Sequence, residues 1–142
     1  MATPAGSTPR PLPVIDEESR PYWDAARRHE LALQRCGACG RYVFYARALC
    51  PHCHREALEW TSASGAGVVY SFTVVRRPPS EAFAPFTPYV VALIDLDEGP
   101  RMLSTLQIED TELARIGERV TVTFQELDGV TLPVFEPAAD RG

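Results

Sequence analysis

Residues 36–54 read Cys36-Gly37-Ala38-Cys39-Gly40-Arg41-Tyr42-Val43-Phe44-Tyr45-Ala46-Arg47-Ala48-Leu49-Cys50-Pro51-His52-Cys53-His54. All four cysteines of the chain fall here, as two Cys-x-x-Cys pairs separated by ten residues. A two-residue gap lets both sulfurs of a pair reach one metal at about 2.3 Å from a single tight turn. A second pair from an adjacent hairpin completes a tetrahedron. Gly40 follows the second sulfur, where a positive φ lets backbone amides point at the thiolates. Two disulfides would need an oxidising compartment, and a thioredoxin-like redox motif uses one Cys-x-x-Cys at a helix start, not two.

The stretch therefore predicts a zinc site at Cys36, Cys39, Cys50 and Cys53. Iron in a rubredoxin-like site uses the same ligands, and zinc is the favoured ion. Four thiolates leave no open position for water, so the metal is expected to be structural. His52 and His54 could replace a cysteine, but with four sulfurs neither is needed. From Leu31 to Arg55 there is no Asp or Glu, while Arg35, Arg41, Arg47 and Arg55 sit among the ligands. A four-thiolate zinc centre is anionic and accounts for nearby arginines by itself. The sharper reading is that some of them also meet a phosphate or a partner carboxylate.

Downstream, Gly65-Ala66-Gly67 marks a break, and the pattern turns to strands. Val68 to Val75 alternates, placing Val68, Tyr70, Phe72 and Val74 on one face. A proline-rich loop, Arg76 to Pro88, leads to a strand over Tyr89 to Leu96 with Val90, Ala92, Ile94 and Leu96 in phase. Asp97-Glu98-Gly99-Pro100 is a turn, and Met102 to Gln107 a third strand. Glu109 to Ile116 has acids first and Arg115 late, matching a helix dipole, with Gly117 as the stop; a short helix is expected. Val120 to Glu126, with Val120, Val122 and Phe124 inward, turns through Asp128-Gly129 into Thr131 to Phe135. Three strands, a helix and two strands is the element order of the five-stranded oligonucleotide/oligosaccharide-binding barrel, the OB-fold. An immunoglobulin-like sandwich would want about seven strands and no such helix.

Upstream, Ser19 is the expected N-cap of a helix from Arg20 to His29, with Pro21 tolerated in its first turn. Tyr22, Trp23 and Ala26 give it an apolar stripe, and it is too short to stand alone. Leu31 to Arg35 and Tyr42 to Tyr45 are β-prone runs. Residues 1–13 carry four of the thirteen prolines and little that is large and apolar. The expected organisation is a disordered tail over 1–16, helix plus Cys₄ ribbon over 17–62, OB barrel over 63–137, and a frayed end over 138–142.

The chain has 142 residues, 45% of them hydrophobic, enough for a core in one ordinary domain. The net charge of −5 argues against generic nucleic-acid binding. All 14 basic residues are Arg, which excludes a lysine Schiff base or a P-loop lysine on this chain. There is no His-Glu-x-x-His and no Gly-x-Ser-x-Gly, and Gly65-Ala66-Gly67 precedes a strand, the wrong side for a dinucleotide fingerprint. His29 reads as a surface residue, and Asp95, Asp97 and Glu98 as a solvated turn. No apolar run approaches the ~20 residues of a membrane span. The N-terminus lacks a secretory pattern, so a cytoplasmic location is expected. No catalytic constellation emerges.

Taken together, Tyr22-Trp23, Cys36-x-x-Cys39-Gly40, Cys50-Pro51-x-Cys53, Gly65-x-Gly67-Val68-Val69-Tyr70-Ser71, Pro88-Tyr89-Val90-Val91-Ala92, Leu96-Asp97-Glu98-Gly99-Pro100-Arg101, Ile116-Gly117-x-x-Val120 and Leu132-Pro133-x-Phe135 carry a resemblance. From about residue 17 to 137 the chain resembles the zinc-ribbon OB-fold proteins that accompany thiolase-like enzymes, long catalogued as a domain of unknown function. One departure is His54, where the second knuckle often has Gly. The resemblance implies a mainly β chain, with an N-terminal helix and rubredoxin-like ribbon before the barrel. It implies a non-catalytic subunit of a thiolase, aldolase or acyltransferase of the thiolase fold, in a hetero-oligomer handling acyl-CoA thioesters of lipid or steroid breakdown. Such a subunit helps shape the CoA entrance, and the catalytic residues belong to the partner.

Candidate partner or CoA contacts are Tyr22 and Trp23 on the helix and Arg76, Arg77, Phe83 and Phe86 on the proline-rich loop, where no strand or helix pattern buries the two rings. The alternative is an OB-fold and zinc-ribbon nucleic-acid binder, which would need aromatics and a basic groove on the barrel face.

Overall fold

The computed structural model describes residues 10–138. Of the expected tails, residues 1–9 and 139–142 lie outside the described residues. In chain order the elements are α1 (Arg20–Arg27), β1 (Ala32–Cys36), β2 (Tyr42–Val43), β3 (Leu58–Ser62), β4 (Ala66–Val75), β5 (Tyr89–Leu96), β6 (Arg101–Leu106), β7 (Arg119–Leu127) and β8 (Val130–Pro137). The first three strands form a small antiparallel sheet in the order β2-β1-β3, and the last five close a barrel in the order β4-β5-β6-β8-β7. That is the OB-fold barrel expected from the sequence, preceded by the helix and the ribbon.

Helix α1 is capped one turn ahead of its expected start. Ser19 makes no side-chain cap to the helix. Instead Asp16 Oδ1 accepts the Ser19 N–H at 2.8 Å, and Ser19 Oγ accepts the Asp16 N–H at 3.2 Å. The Ser19 N–H holds the Asp16 carboxyl below its usual range. The helix also ends at Arg27, two residues before the expected His29. His29 adopts a φ of 61° and stacks on Phe124 of β7 with ring centroids 5.0 Å apart. Ala25 and Ala26 are the residues α1 buries. Tyr22, a candidate partner contact in the sequence, packs against the barrel core and meets Phe44 at 5.7 Å. Burial pushes its phenol pKa up.

Ribbon and barrel share one core. Leu31 and Leu33, at the root of β1, belong to the same buried cluster as Val69, Val90, Ile94, Leu106, Val120 and Phe135. Strand β5 buries Val90, Ala92, Ile94 and Leu96 in strict alternation, as its pattern requires. The tight turn at Asp128-Gly129 has positive φ at both positions, 48° and 86°.

Strand β4 departs from the expected phase. Its pairing with β5 skips one residue between Val69 and Ser71, so Tyr70 is the extra residue of a β-bulge. Ahead of the bulge Val69 points inward, not Val68; beyond it Phe72 and Val74 pack on the core, as expected. Tyr70 itself is 48% exposed and carries the Arg101 guanidinium 3.4 Å above its ring. A bulge flips the side-chain phase without changing the composition, so a period-two count carried straight through assigns half the strand to the wrong face.

The expected helix over Glu109 to Ile116 is a single 3₁₀ turn, Thr111–Leu113. Asp110 accepts the Glu112 N–H on its side chain at 2.9 Å, an N-terminal cap, but the chain then extends at Ala114. Leu113 and Ile116 remain exposed and only the small Ala114 reaches the core, so too little apolar face is buried to carry the helix further. The proline-rich segment likewise differs from a plain loop: Glu81–Phe86 is a 3₁₀ turn with Ala82 buried beneath it.

Gly65 and Gly67 are demanded by close approach. A Cβ on Gly65, whose φ is +82°, would collide with Val122 Cγ1. One on Gly67 would lie 2.7 Å from the Asp95 carbonyl oxygen of β5. Because that neighbour is backbone, Gly67→Ala must push β4 away from β5. The expected cost is ~2 kcal/mol of overpacking strain, read as a lower melting temperature in calorimetry with the metal content unchanged.

Candidate metal centre and aromatic groove

The two Cys-x-x-Cys turns are built alike. The Gly40 N–H donates to the Cys36 carbonyl at 2.8 Å, and the His54 N–H to the Cys50 carbonyl at 2.8 Å. The Cys36 N–H donates to the Arg41 carbonyl at 2.9 Å, and the Cys50 N–H to the Arg55 carbonyl at 3.0 Å. Each turn needs a left-handed residue after its second cysteine: Gly40 at φ 80° in the first, His54 at 64° in the second. The departure at His54 thus leaves the turn unchanged, at the strain a side chain bears in that region. Its role is in the backbone. His52 Nδ1 faces Arg41 Nη1 at 3.2 Å on the exposed side, away from the sulfurs.

The four sulfurs lie within 4.8 Å of one another. Cys36 and Cys53 Sγ are 3.6 Å apart, Cys39 and Cys50 Sγ 3.7 Å. Zinc–sulfur bonds of about 2.3 Å in a tetrahedron place sulfurs about 3.8 Å apart, so the cluster is dimensioned for one such ion. Amides are aimed at the sulfurs: Ala38 and Cys39 N–H at Cys36 Sγ, both 3.4 Å, and His52 N–H at Cys50 Sγ, 3.4 Å. The Cys39 amide foremost holds the Cys36 thiol down at about 6, favouring the thiolate a metal requires. Burial opposes ionisation of Cys50, but the Cys53 and His52 amides outweigh it and lower its pKa too.

Among the described residues Cys36, Val43 and Cys50 form the buried cluster around the two knuckles. Gln34, which sequence reading passed over, ties the intervening loop to β1: its Nε2 donates to the Arg47 carbonyl at 2.9 Å and its Oε1 accepts the Arg47 N–H at 2.8 Å. Among the described residues none of Arg35, Arg41, Arg47 and Arg55 forms an ion pair. Arg35 donates to the Gly40 carbonyl at 3.2 Å.

Of the six candidate contact residues, four meet. Tyr22 and Trp23 from α1 and Phe83 and Phe86 from the 3₁₀ turn line one groove of about 530 Å³. It runs over β5, β6 and β8, where the β6–β8 pairing consists of Leu106↔Phe135. The segment Arg10 to Pro13 lies along it, with the Arg10 guanidinium 4.0 Å from the Phe86 ring centroid. Arg76 and Arg77 are not part of this lining; Arg76 is paired with Glu112 at 2.6 Å. The acidic turn is likewise engaged: Asp95 holds Arg101 at 2.6 Å and Asp97 holds Arg119 at 3.0 Å. Among the described residues the four cysteines are the cluster that could hold a metal.

Two family models match end to end, a ChsH2 rubredoxin-like zinc ribbon domain over residues 23–59 and a ChsH2 C-terminal OB-fold domain over residues 60–125. The chain belongs to the ChsH2 (DUF35) family. A DUF35 domain-containing scaffold protein of Methanothermobacter thermautotrophicus is 33% identical over 80% of this chain and 86% of its own. A probable enoyl-CoA hydratase alpha subunit of Thermomonospora curvata is 38% identical over 93% of this chain, which spans 41% of that relative's length. The solved structure of an Ltp2-ChsH2(DUF35) aldolase contains a chain 37% identical, with a TM-score of 0.80 over 90% of this chain and 100% of that one. A DUF35 protein of Sulfolobus solfataricus, 15% identical with a TM-score of 0.62, shares the fold.

Binding a structural zinc contributes roughly 10–16 kcal/mol at neutral pH, comparable to the stability of a domain. Freshly purified protein is expected to contain one zinc per chain by elemental analysis. Cys39→Ser should lower that content and the soluble yield together; full metal-free stability would contradict the site.

Proposed function

We propose that this chain is a non-catalytic subunit of a thiolase-fold enzyme, a thiolase, aldolase or acyltransferase acting on acyl-CoA thioesters. In this reading it shapes the CoA entrance and holds the assembly together. The observation that carries the proposal is the match, over the full length of the ChsH2 chain, to the Ltp2-ChsH2(DUF35) aldolase. It is supported by a relative in Geobacter metallireducens, a benzoylsuccinyl-CoA thiolase subunit 34% identical over 63% of this chain. A further relative, in Mycobacterium tuberculosis, is a 3-oxo-4,17-pregnadiene-20-carboxyl-CoA hydratase alpha subunit, of which this chain spans 39%. With about three fifths of each hydratase subunit unmatched, the hydratase name gives no ground for placing hydration here.

The chemistry of this chain agrees. In the acidic turn Asp95 and Asp97 are paired with Arg101 and Arg119, and the Arg119 guanidinium holds the Asp97 carboxyl below its usual range, which makes it a poor general acid. A sulfur cluster sized for a four-thiolate ion leaves no position for a substrate oxygen. In this proposal the partner docks on the rim where Tyr22, Trp23, Phe83 and Phe86 converge. Arg77, and Arg76 once released from Glu112, are the candidates for a CoA phosphate or a partner carboxylate. Four free thiols suit a reducing cytoplasm, and among the described residues no helix is long and apolar enough to cross a membrane.

Affinity purification from the native host is expected to bring down a thiolase-fold enzyme. The isolated chain should show no thiolase, aldolase or acyltransferase turnover, which should appear when that enzyme is added. Turnover by the isolated chain, or recovery of nucleic acid in place of an enzyme, would refute the proposal. Phe83→Ala with Phe86→Ala should weaken partner binding at least tenfold, about 1.4 kcal/mol, with the melting temperature nearly unchanged. A large fall in melting temperature with unchanged binding would place the rings in the fold alone.

A further inference from the structure

The groove over β5, β6 and β8 has the make-up of a small-molecule site. Its volume of about 530 Å³ falls in the range of such pockets. Its walls are aromatic and aliphatic: Tyr22, Trp23, Phe83 and Phe86 on one side, Leu103 and Leu132 on the other. Ser104, Thr105, Gln107 and Gln125 add neutral polar groups. Among the lining residues Arg10 is the one charged side chain, and no carboxylate accompanies it. Its guanidinium lies over the Phe86 ring, 4.0 Å from the centroid, and its Nε is shut from solvent with no acceptor among the described residues. A buried donor without an acceptor costs about 1–3 kcal/mol, more when charged. Such a cost at the wall of an apolar groove is relieved by an occupant that brings the acceptor with it.

We infer that this groove binds an amphiphilic monocarboxylate, an acyl chain or comparable apolar body whose carboxylate accepts from the Arg10 guanidinium. The apolar body displaces water from the aromatic walls, and the guanidinium fork matches a carboxylate in two parallel hydrogen bonds. A cationic amphiphile meets the same walls with the wrong sign of charge. Arg10 sits on a segment laid along the groove rather than in a strand, so it can shift with the ligand while the barrel stays as it is. The lining residues all belong to this chain, so the site is tested on the chain without a partner enzyme.

The test is calorimetric titration of the full chain with decanoate and with decyltrimethylammonium, an anion and a cation of equal chain length. One saturable decanoate site is expected, with the cation at least tenfold weaker. Arg10→Gln should weaken decanoate about tenfold and leave the cation as it was, and Arg10→Lys should recover most of the loss. Thr105→Trp, which fills the groove from the outer face of β6, should abolish binding without lowering zinc content. Equal binding of anion and cation, unsaturable uptake, or decanoate binding indifferent to both Arg10→Gln and Thr105→Trp would overturn the inference.

Discussion

The convergence of four sulfurs on one point is the constraint on which the ribbon depends. Residues 36–57 hold two knuckles and a connecting loop, yet the buried centre they share is Cys36, Val43 and Cys50, with Cys53, Ala57 and Leu58 leaning on it. So few apolar side chains cannot repay the entropy of ordering more than twenty residues. Nor do the backbone ladders suffice, since β2 is two residues long and pairs with β1 at two positions. What fixes the loops is the metal-sized cluster and the amides aimed at it. The same constraint explains the absence of acidic residues from Leu31 to Arg55. A carboxylate beside a centre with four thiolates would add repulsion, whereas an arginine beside it costs little.

The barrel supplies what the ribbon lacks. Leu31 and Leu33 run from the root of β1 into the barrel core, and the Ala63 N–H donates to the Leu31 carbonyl at 2.7 Å where the chain passes from one sheet to the other. Closure of five strands leaves little room at the seam where β4 meets both β5 and β7. Gly65 and Gly67 sit at that seam, and the bulge at Tyr70 follows within three residues. A barrel of this size turns sharply, and glycines with a bulge are the means by which a strand bends without breaking its ladder. The bulge also turns Tyr70 outward, where Arg101 covers it while held by Asp95. An outward aromatic that would suit base stacking is thereby occupied.

How far the sequence carried depended on how local each signal is. The sulfur site was legible because spacing alone sets which sulfurs share a turn. Strand β5 was legible because its alternation is unbroken, residue for residue. The inward phase of β4 was not, because a bulge is a property of the pairing and leaves no mark in a period-two count. The helix expected over Glu109 to Ile116 had caps and charge order but buries little beyond Ala114, and local propensity with so small a face yielded one 3₁₀ turn. Strand β3 went unread in Leu58-Glu59-Trp60-Thr61-Ser62, which is short, half-buried and polar at alternate positions, and is held as an edge strand by β1 alone. Arg10 was hidden for another reason. It lies in a proline-rich stretch whose composition reads as tail, and its position against Phe86 is a long-range contact that no window of sequence contains.

That last contact bears on why the groove sits where it does. Its walls come from Arg10–Pro13, from α1 and from the turn at Glu81–Phe86. None of the three has a core of its own: α1 buries two alanines, the turn buries Ala82, and the N-terminal segment buries nothing outright. Each is held by resting on the barrel beside the seam where β6 and β8 pair at Leu106↔Phe135. At every other seam of the barrel three or more residue pairs close the wall. The strand ladder of the barrel is therefore shortest at the place where these segments gather, although Leu106 and Phe135 themselves are buried there. Covering it with aromatic rings limits the apolar area left to water, and leaving a groove between rings and strands keeps that cover adjustable. Three segments with little core of their own thus line this apolar groove.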